Sequence, residues 1–440
     1  MAADITDRAS KSPVAAVAVL YYDDMDDIDE NDRTHFIDNL RATLVATLIV
    51  QHAINETAAT SYPHFDSLPL SLFVLLSKTV VPGLFFLISG YASSITRITE
   101  SSGYYGGGRS DAEFIWRKTI RLLLPALVYG GIGHVVLWMV LTKSLPSTFF
   151  DGGPLAWSFS RLEGPIAYLA FLYLMDMAYV SLFPARRGAS PLPSEKRRSQ
   201  PRSFETLVKS KRDWYTAVLA AVLLLSIWTF LVAASGRTDQ PTFTFPISFA
   251  AYDPISPVAP FQYIFAYMAG ARLYKWQNHI LIPYNYAVPA FALSLVTSLG
   301  TFILAHEYSP SLQKLLDLNT PSAIHPSFVD GGFNLHTLFY AVWTTCSFVA
   351  ISLTLVSIFA HSGWTRRDWG VVTKHCYLPV WLHMLPIAVL TRSFAADEGR
   401  WGELWERGVE WRCFLVSGGS VLFSWVASFF IVFMGRILSY

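Results

Sequence analysis

Long apolar runs separated by short polar segments recur along the whole chain. A helix needs about 20 such residues to cross the hydrocarbon core of a bilayer. Ten runs reach or approach that length: 42–60, 72–95, 120–142, 163–183, 214–235, 259–274, 283–305, 336–360, 375–394 and 412–437. The sixth is short, and the second contains Lys78 and Pro82. A membrane β-barrel would instead show segments of about ten residues that alternate apolar and polar. These runs are continuous, so the pattern predicts an all-α, polytopic helical bundle with about ten transmembrane helices.

The basic residues orient that bundle. Lys and Arg gather on the cytoplasmic side of membrane proteins. With the N-terminus inside, 24 of the 33 basic residues fall on the cytosolic side and 8 on the other, while Lys78 lies within a run. The cytosolic set includes Arg41, Arg117, Lys118, Arg121, Arg366 and Arg367. Both termini are therefore expected in the cytosol.

Composition agrees with this picture. The 440 residues are 52% hydrophobic and only 15% charged, with a mean hydropathy of +0.37. Soluble domains carry about 25% charged residues. The 15% of aromatics, with 14 Trp and 21 Tyr, suits a protein that meets two membrane–water interfaces. A net charge of +1 gives no electrostatic reason to expect a nucleic-acid partner. Cys346, Cys376 and Cys413 read as small buried hydrophobes rather than a disulfide or metal framework.

Two segments stand apart. Residues 1–35 include the acidic stretch DDMDDIDEND at 23–32, which reads as a disordered tail and not as a signal peptide. Residues 184–213 are rich in Pro, Ser, Arg and Lys and read as a basic cytosolic loop lying against an anionic leaflet. Internal repeats of the kind that build many transporters are not evident.

The first run contains the most informative spacing. Arg41 and His52 are eleven residues apart. Eleven steps of about 100° return to within roughly 20° of the start, so the two side chains share one helix face. Polar groups at that depth are costly and turn towards a partner or a water-filled cavity. A neutral imidazole there has a pKa suited to a general base. Asp176, deep in the fourth run, needs a partner, and Lys78 is one candidate. His134 has no supporting pattern and reads as structural, while Glu163 either contacts a ligand or starts a helix before Pro165. Asn55-Glu56-Thr57 is a glycosylation sequon within a helix and is expected to be unmodified.

Five segments in order resemble the acyltransferase-3 superfamily of integral membrane acyltransferases. They are IDNLRATLVATLIVQHA at 37–53, VPGLFFLISGYASS at 81–94, FIWRKTIRLLLPALVYG at 114–130, GPIAYLAFLYLMD at 164–176 and CYLPVWLHMLP at 376–386. The fourth departs from the family pattern, with Ala167 where Trp is usual. The pattern is nearest to the branch resembling glucan succinyltransferases. The resemblance implies a transmembrane acyltransferase domain over 36–440. It would move an acetyl- or succinyl-like group from acyl-CoA to a hydroxyl of a glycan, lipid or small metabolite, without a metal. By motif position His52 is the catalytic base and Arg41 its donor-side partner. Ser89 and His383 would line the pocket, and Asp176 could orient a histidine. Arg117, Lys118 and Arg121 cluster where a phosphate-bearing donor would approach, and an Arg fork matches phosphate geometry. The competing reading is a multi-pass transporter in which Arg41, His52, Asp176 and His383 form a polar pathway.

Overall fold

The structure, a computed structural model, describes residues 35–60, 67–101, 111–128, 135, 139, 165–183, 211–235, 259–308, 333, 335–396 and 409–439. The acidic tail up to residue 34, most of the third run, His134, Glu163 and the basic loop as far as residue 210 lie outside them.

Among the described residues every regular element is helical. The long helices are α1 (His35–Thr60), α2 (Leu68–Ser101), α5 (Pro165–Leu182), α6 (Lys211–Ser235), α7 (Ala259–Ile280), α8 (Tyr284–Tyr308), α9 (Leu335–His361) and α13 (Val409–Ser439). Between α2 and α5, α3 (Asp111–Lys118) runs through a π-helical turn, Thr119–Leu123, into α4 (Leu124–Val128). Between α9 and α13 lie three shorter pieces: α10 (Val371–Lys374), α11 (Leu378–Leu382) and α12 (Met384–Ala396).

Among the described residues four helical segments are long and apolar enough to cross a membrane: Leu68–Thr96, Tyr284–Leu304, Thr337–His361 and Glu410–Met434. Shorter apolar helices cover Tyr168–Leu182, Thr216–Leu231 and Met384–Phe394. Helix α1 is long enough, but Asp38, Arg41, Gln51, His52, Asn55 and Glu56 make it too polar to join the four. It also begins at His35, well before the apolar run itself.

The apolar run over 375–394 predicts one continuous helix, and the structure departs from that. It breaks into α11 and α12 with a turn at His383. Pro379 sits in the first turn of α11, where its missing N–H costs nothing. Pro386 follows three residues after the break, so the carbonyl of Leu382 can receive no helical bond from it. Pro82, by contrast, is absorbed within α2, which continues unbroken to Ser101.

Packing explains how these helices are ordered. Helix α1 buries one face against α2 and α9, where Ile37, Leu40 and Leu44 meet Val81, Leu84, Ile88, Ile351 and Phe359. Another face meets α12 and α13 through Val45, Ile49, Ala53, Ile387 and Val416. The closest crossing lies between α2 and α7, which pack along each other. A methyl group on Gly90 would run into the carbonyl of Tyr267, and one on Gly270 into the carbonyl of Leu87. Helix–helix association among apolar surroundings relies on such close backbone approach, since hydrophobic burial adds little there. Outward-facing Phe414, Leu422, Phe423, Val426 and Phe430 leave α13 apolar on its exposed side. Cys376 and Cys413 are buried as expected, whereas Cys346 is exposed on the outer side of α9.

The crossing predicts a sharp contrast among glycine variants. Gly90→Ala or Gly270→Ala should cost about 1–3 kcal/mol through overpacking. This would appear as a lower melting temperature and reduced monodisperse yield in detergent. At Gly300 a methyl group would have nothing within 4 Å, so Gly300→Ala should be neutral or slightly stabilising.

Candidate active site

The site begins at one end of α1. Asn39 is fully buried there, and its side-chain amide donates to the carbonyls of Thr365 (2.6 Å) and Arg367 (2.7 Å). The Thr365 hydroxyl in turn donates to Phe359 O at 2.7 Å. These bonds fasten the segment after α9 onto α1, so that its next turns lie beside the α1 face that carries Arg41. Gly370 then takes φ +60°, a left-handed conformation that only glycine adopts readily, and its N–H donates to the Asp368 carboxylate at 2.7 Å. The chain thereby turns back towards α1 and delivers Tyr377.

Arg41 is buried and pairs with Asp38 one turn earlier at 2.9 Å. Its guanidinium carbon lies 5.0 Å from the centre of the Tyr377 ring. That of Arg121 lies 4.5 Å from the same ring. The negative face of an aromatic ring attracts cations, by about 0.5–2 kcal/mol each depending on desolvation. Tyr377 and Asp38 thus allow two guanidinium groups to gather where apolar helices would otherwise exclude them.

Three turns further along α1, half-buried His52 meets His383, their ring centres 5.2 Å apart and tilted by 47°. His383 is fully buried. Its Nδ1 lies 2.9 Å from Val380 O and 3.2 Å from Pro379 O. Carbonyl oxygens only accept, so Nδ1 carries the proton of a neutral ring and Nε2 carries a lone pair. That Nε2 is buried and has no hydrogen-bond partner among the described residues. A buried acceptor left unpaired costs about 1–3 kcal/mol.

The remaining expected residues separate into two groups. Arg117 pairs with Glu113 at 2.9 Å along α3. Ser89 is half-buried beside the α2–α7 crossing. Asp176 and Lys118 meet elsewhere, in a buried network that joins four helices. Lys118 Nζ lies 3.0 Å from Asp176 Oδ2 and donates to Ser93 Oγ at 2.9 Å. Ser93 and Tyr267 both donate to Asp176 Oδ1, at 2.7 and 2.5 Å. The partner of Asp176 is therefore Lys118 and not Lys78. Lys118 is held inward by a carboxylate, whereas Arg121 reaches the Tyr377 ring.

The residues that spacing alone did not single out are Ser93, Tyr267, Tyr377 and Asn39. Ser93 lies one turn beyond Ser89 on the same α2 face, the only local signal for it. The role of Tyr377 depends on a turn that apolar periodicity reads as helix. Among the described residues no group of three or more His, Cys, Asp or Glu side chains is placed to hold a metal. Asn55 is helical and its Oδ1 is buried.

Comparison with known proteins gives one finding. No curated protein and no solved structure matches the chain. A family model described as an acyltransferase domain, the third of that designation, matches residues 34–434, from the start of α1 to within the last turns of α13. That match covers Arg41, the His52–His383 pair and the whole of the Asp176–Lys118 network. The chain belongs to the acyltransferase-3 superfamily of membrane acyltransferases.

Proposed function

We propose that the protein is a multi-pass O-acyltransferase that moves an acyl group from acyl-CoA to a hydroxyl, with His52 as general base. The single observation that carries this reading is the contact between His52 and His383, on the α1 face that also presents Arg41. In a chain of this family, an imidazole pair three turns along the helix face from paired guanidinium groups suits proton transfer at the far end of an extended anionic donor.

In this reading the donor enters from the cytosolic side. Arg41, Arg121, Arg366 and Arg367 belong to one end of the bundle, since Asn39 ties the latter segment to the start of α1. That grouping supports a cytosolic start of α1, in a bundle proposed to have about ten spans and both termini inside. Arg41 and Arg121 bind donor phosphates, and Arg117 adds positive charge at the approach. Ser89 lines the passage between them and the histidines.

The acceptor hydroxyl lies between the two imidazoles. His52 removes its proton as the oxygen attacks the thioester carbonyl. The C–S bond then breaks, and the proton on His52 passes to the departing CoA thiolate. His383 keeps a lone pair at Nε2 because its Nδ1–H is committed to backbone carbonyls, and it accepts a hydrogen bond within the site. The acceptor is a glycan, a lipid or a small hydroxylated metabolite, and the acyl group is acetyl- or succinyl-like. The transporter reading is not retained, because the family match over 34–434 favours group transfer.

His52→Ala should lower kcat by about 10²–10⁴-fold, the usual contribution of a general base. The measurement is thiol release from acyl-CoA by purified, correctly folded protein in the presence of acceptor. Undiminished turnover would remove His52 from the mechanism.

Arg41→Lys separates charge from shape. It retains the positive charge but loses the planar group that stacks on Tyr377. The expected outcome is a donor KM raised by about tenfold, or roughly 1.4 kcal/mol, with a smaller effect on kcat. Equal kinetics for Lys and Arg would show that a point charge suffices.

A further inference from the structure

We propose that Lys118 and Asp176 are positioning residues, which act through the π-turn Thr119–Leu123 to place Arg121 beside Arg41. The placement itself is independent of chemistry; its value for donor binding rests on the function proposed above.

The argument starts from helix geometry. On a regular α-helix two residues three apart lie about 60° from each other, on one face. Lys118 and Arg121 would then present both cations to the same neighbour. In the protein they part company. Lys118 Nζ reaches Asp176 on α5 and Ser93 on α2, while Arg121 reaches Tyr377 on the turn before α11. The five residues from Thr119 to Leu123 form the π-turn that separates them. A π-turn puts more residues into each turn, so the rotation per residue falls below about 100° and residues three apart separate by more than the roughly 60° of an α-helix.

Such a turn is rare and occurs mostly as a single turn inside an α-helix, so outside contacts help to hold it. The support comes from one face of α5. Tyr173 and Asp176 lie three residues apart, hence on neighbouring positions of that helix. The Tyr173 hydroxyl lies 2.9 Å from Thr119 Oγ1, the first residue of the turn. The Asp176 carboxylate, only 1% exposed, holds Lys118 immediately before it. The carboxylate is itself fixed by Ser93 from α2 and Tyr267 from α7. Helices α2, α5 and α7 thus grip the start of the turn, and Arg121 emerges from its other side. Leu122, the next residue, is buried and so adds an apolar anchor.

This assigns the four cations of the region different tasks. Lys118 is spent internally on geometry, Arg117 is paired along its own helix, and Arg41 and Arg121 converge on one ring. A count of basic residues over 117–121 would treat all three of its cations alike.

The test uses the purified full chain in detergent and a double variant that keeps the bundle folded, Lys118→Met with Asp176→Leu. Replacing both members of a buried ion pair with apolar residues avoids a stranded charge. The first readout is hydrogen exchange without any ligand. Amides over 119–123 should exchange about tenfold faster in the double variant, a larger change than in α2 and α7, which lose only the acceptor of Ser93 and Tyr267. Lys118→Arg, which keeps the pair, should exchange like the parent protein.

The second readout is kinetic, with acetyl-CoA and succinyl-CoA as probes. The double variant should raise donor KM by about tenfold and shift KM more than kcat. Arg121→Ala should raise KM by a similar factor. Combining all three changes should add little more, because the same contact is already lost. Unchanged exchange over 119–123, or effects on KM that multiply in full, would overturn the proposal. Absence of turnover in the parent protein would instead defeat the proposed function, leaving the exchange measurement to decide this inference alone.

Discussion

A charge carried into an apolar helical bundle must find a counter-charge or a polarisable face, because water is not there to solvate it. That constraint organises this protein. Asp176 meets Lys118, Arg41 meets Asp38, and Tyr377 offers its ring to both Arg41 and Arg121. Each of these contacts joins elements distant in sequence or fixes one helical turn against another. The apolar residues of α1 pack against α2, α9, α12 and α13, and non-directional apolar contact specifies rotation less sharply than an ion pair does. The ionic and aromatic partners select one rotation.

The same constraint explains what could be read from the sequence. Apolar runs located α2, α8, α9 and α13 well, because these helices are apolar along most of their length. Helix α1 was legible for a different reason, as the return of Arg41 and His52 to one face. Its polarity, which weakens it as a membrane-crossing helix by composition, is the mark of its role. The break at His383 was not legible, because 375–394 has the composition of a helix and two prolines there fit either outcome. Prolines accompany the break between α11 and α12 but leave α2 intact at Pro82, so the residue type alone does not decide.

Pairing was the other illegible part. Asp176 needed a partner, and the sequence pointed to Lys78 or a histidine, whereas the residue it meets is Lys118. The choice follows from the crossing of α2 with α7, which brings Ser93 and Tyr267 to the carboxylate and leaves Lys118 as the facing amine. Likewise Arg117, Lys118 and Arg121 look equivalent until a π-turn separates them. Spacing rules assume one helical repeat, and they fail where the repeat itself changes. The residues that act together at Tyr377 come from 41, 121 and 377, a separation that no local pattern spans.

The glycine crossing has a mechanical consequence. Gly90 touches the backbone of Tyr267, whose hydroxyl binds Asp176, and Ser93 lies less than one turn along from Gly90. Sliding α2 past α7 would therefore pull at least one hydrogen-bond donor off the carboxylate on α5. The two helices form a rigid strut. The position of the carboxylate on α5 is thereby tied to the register of α2 and α7.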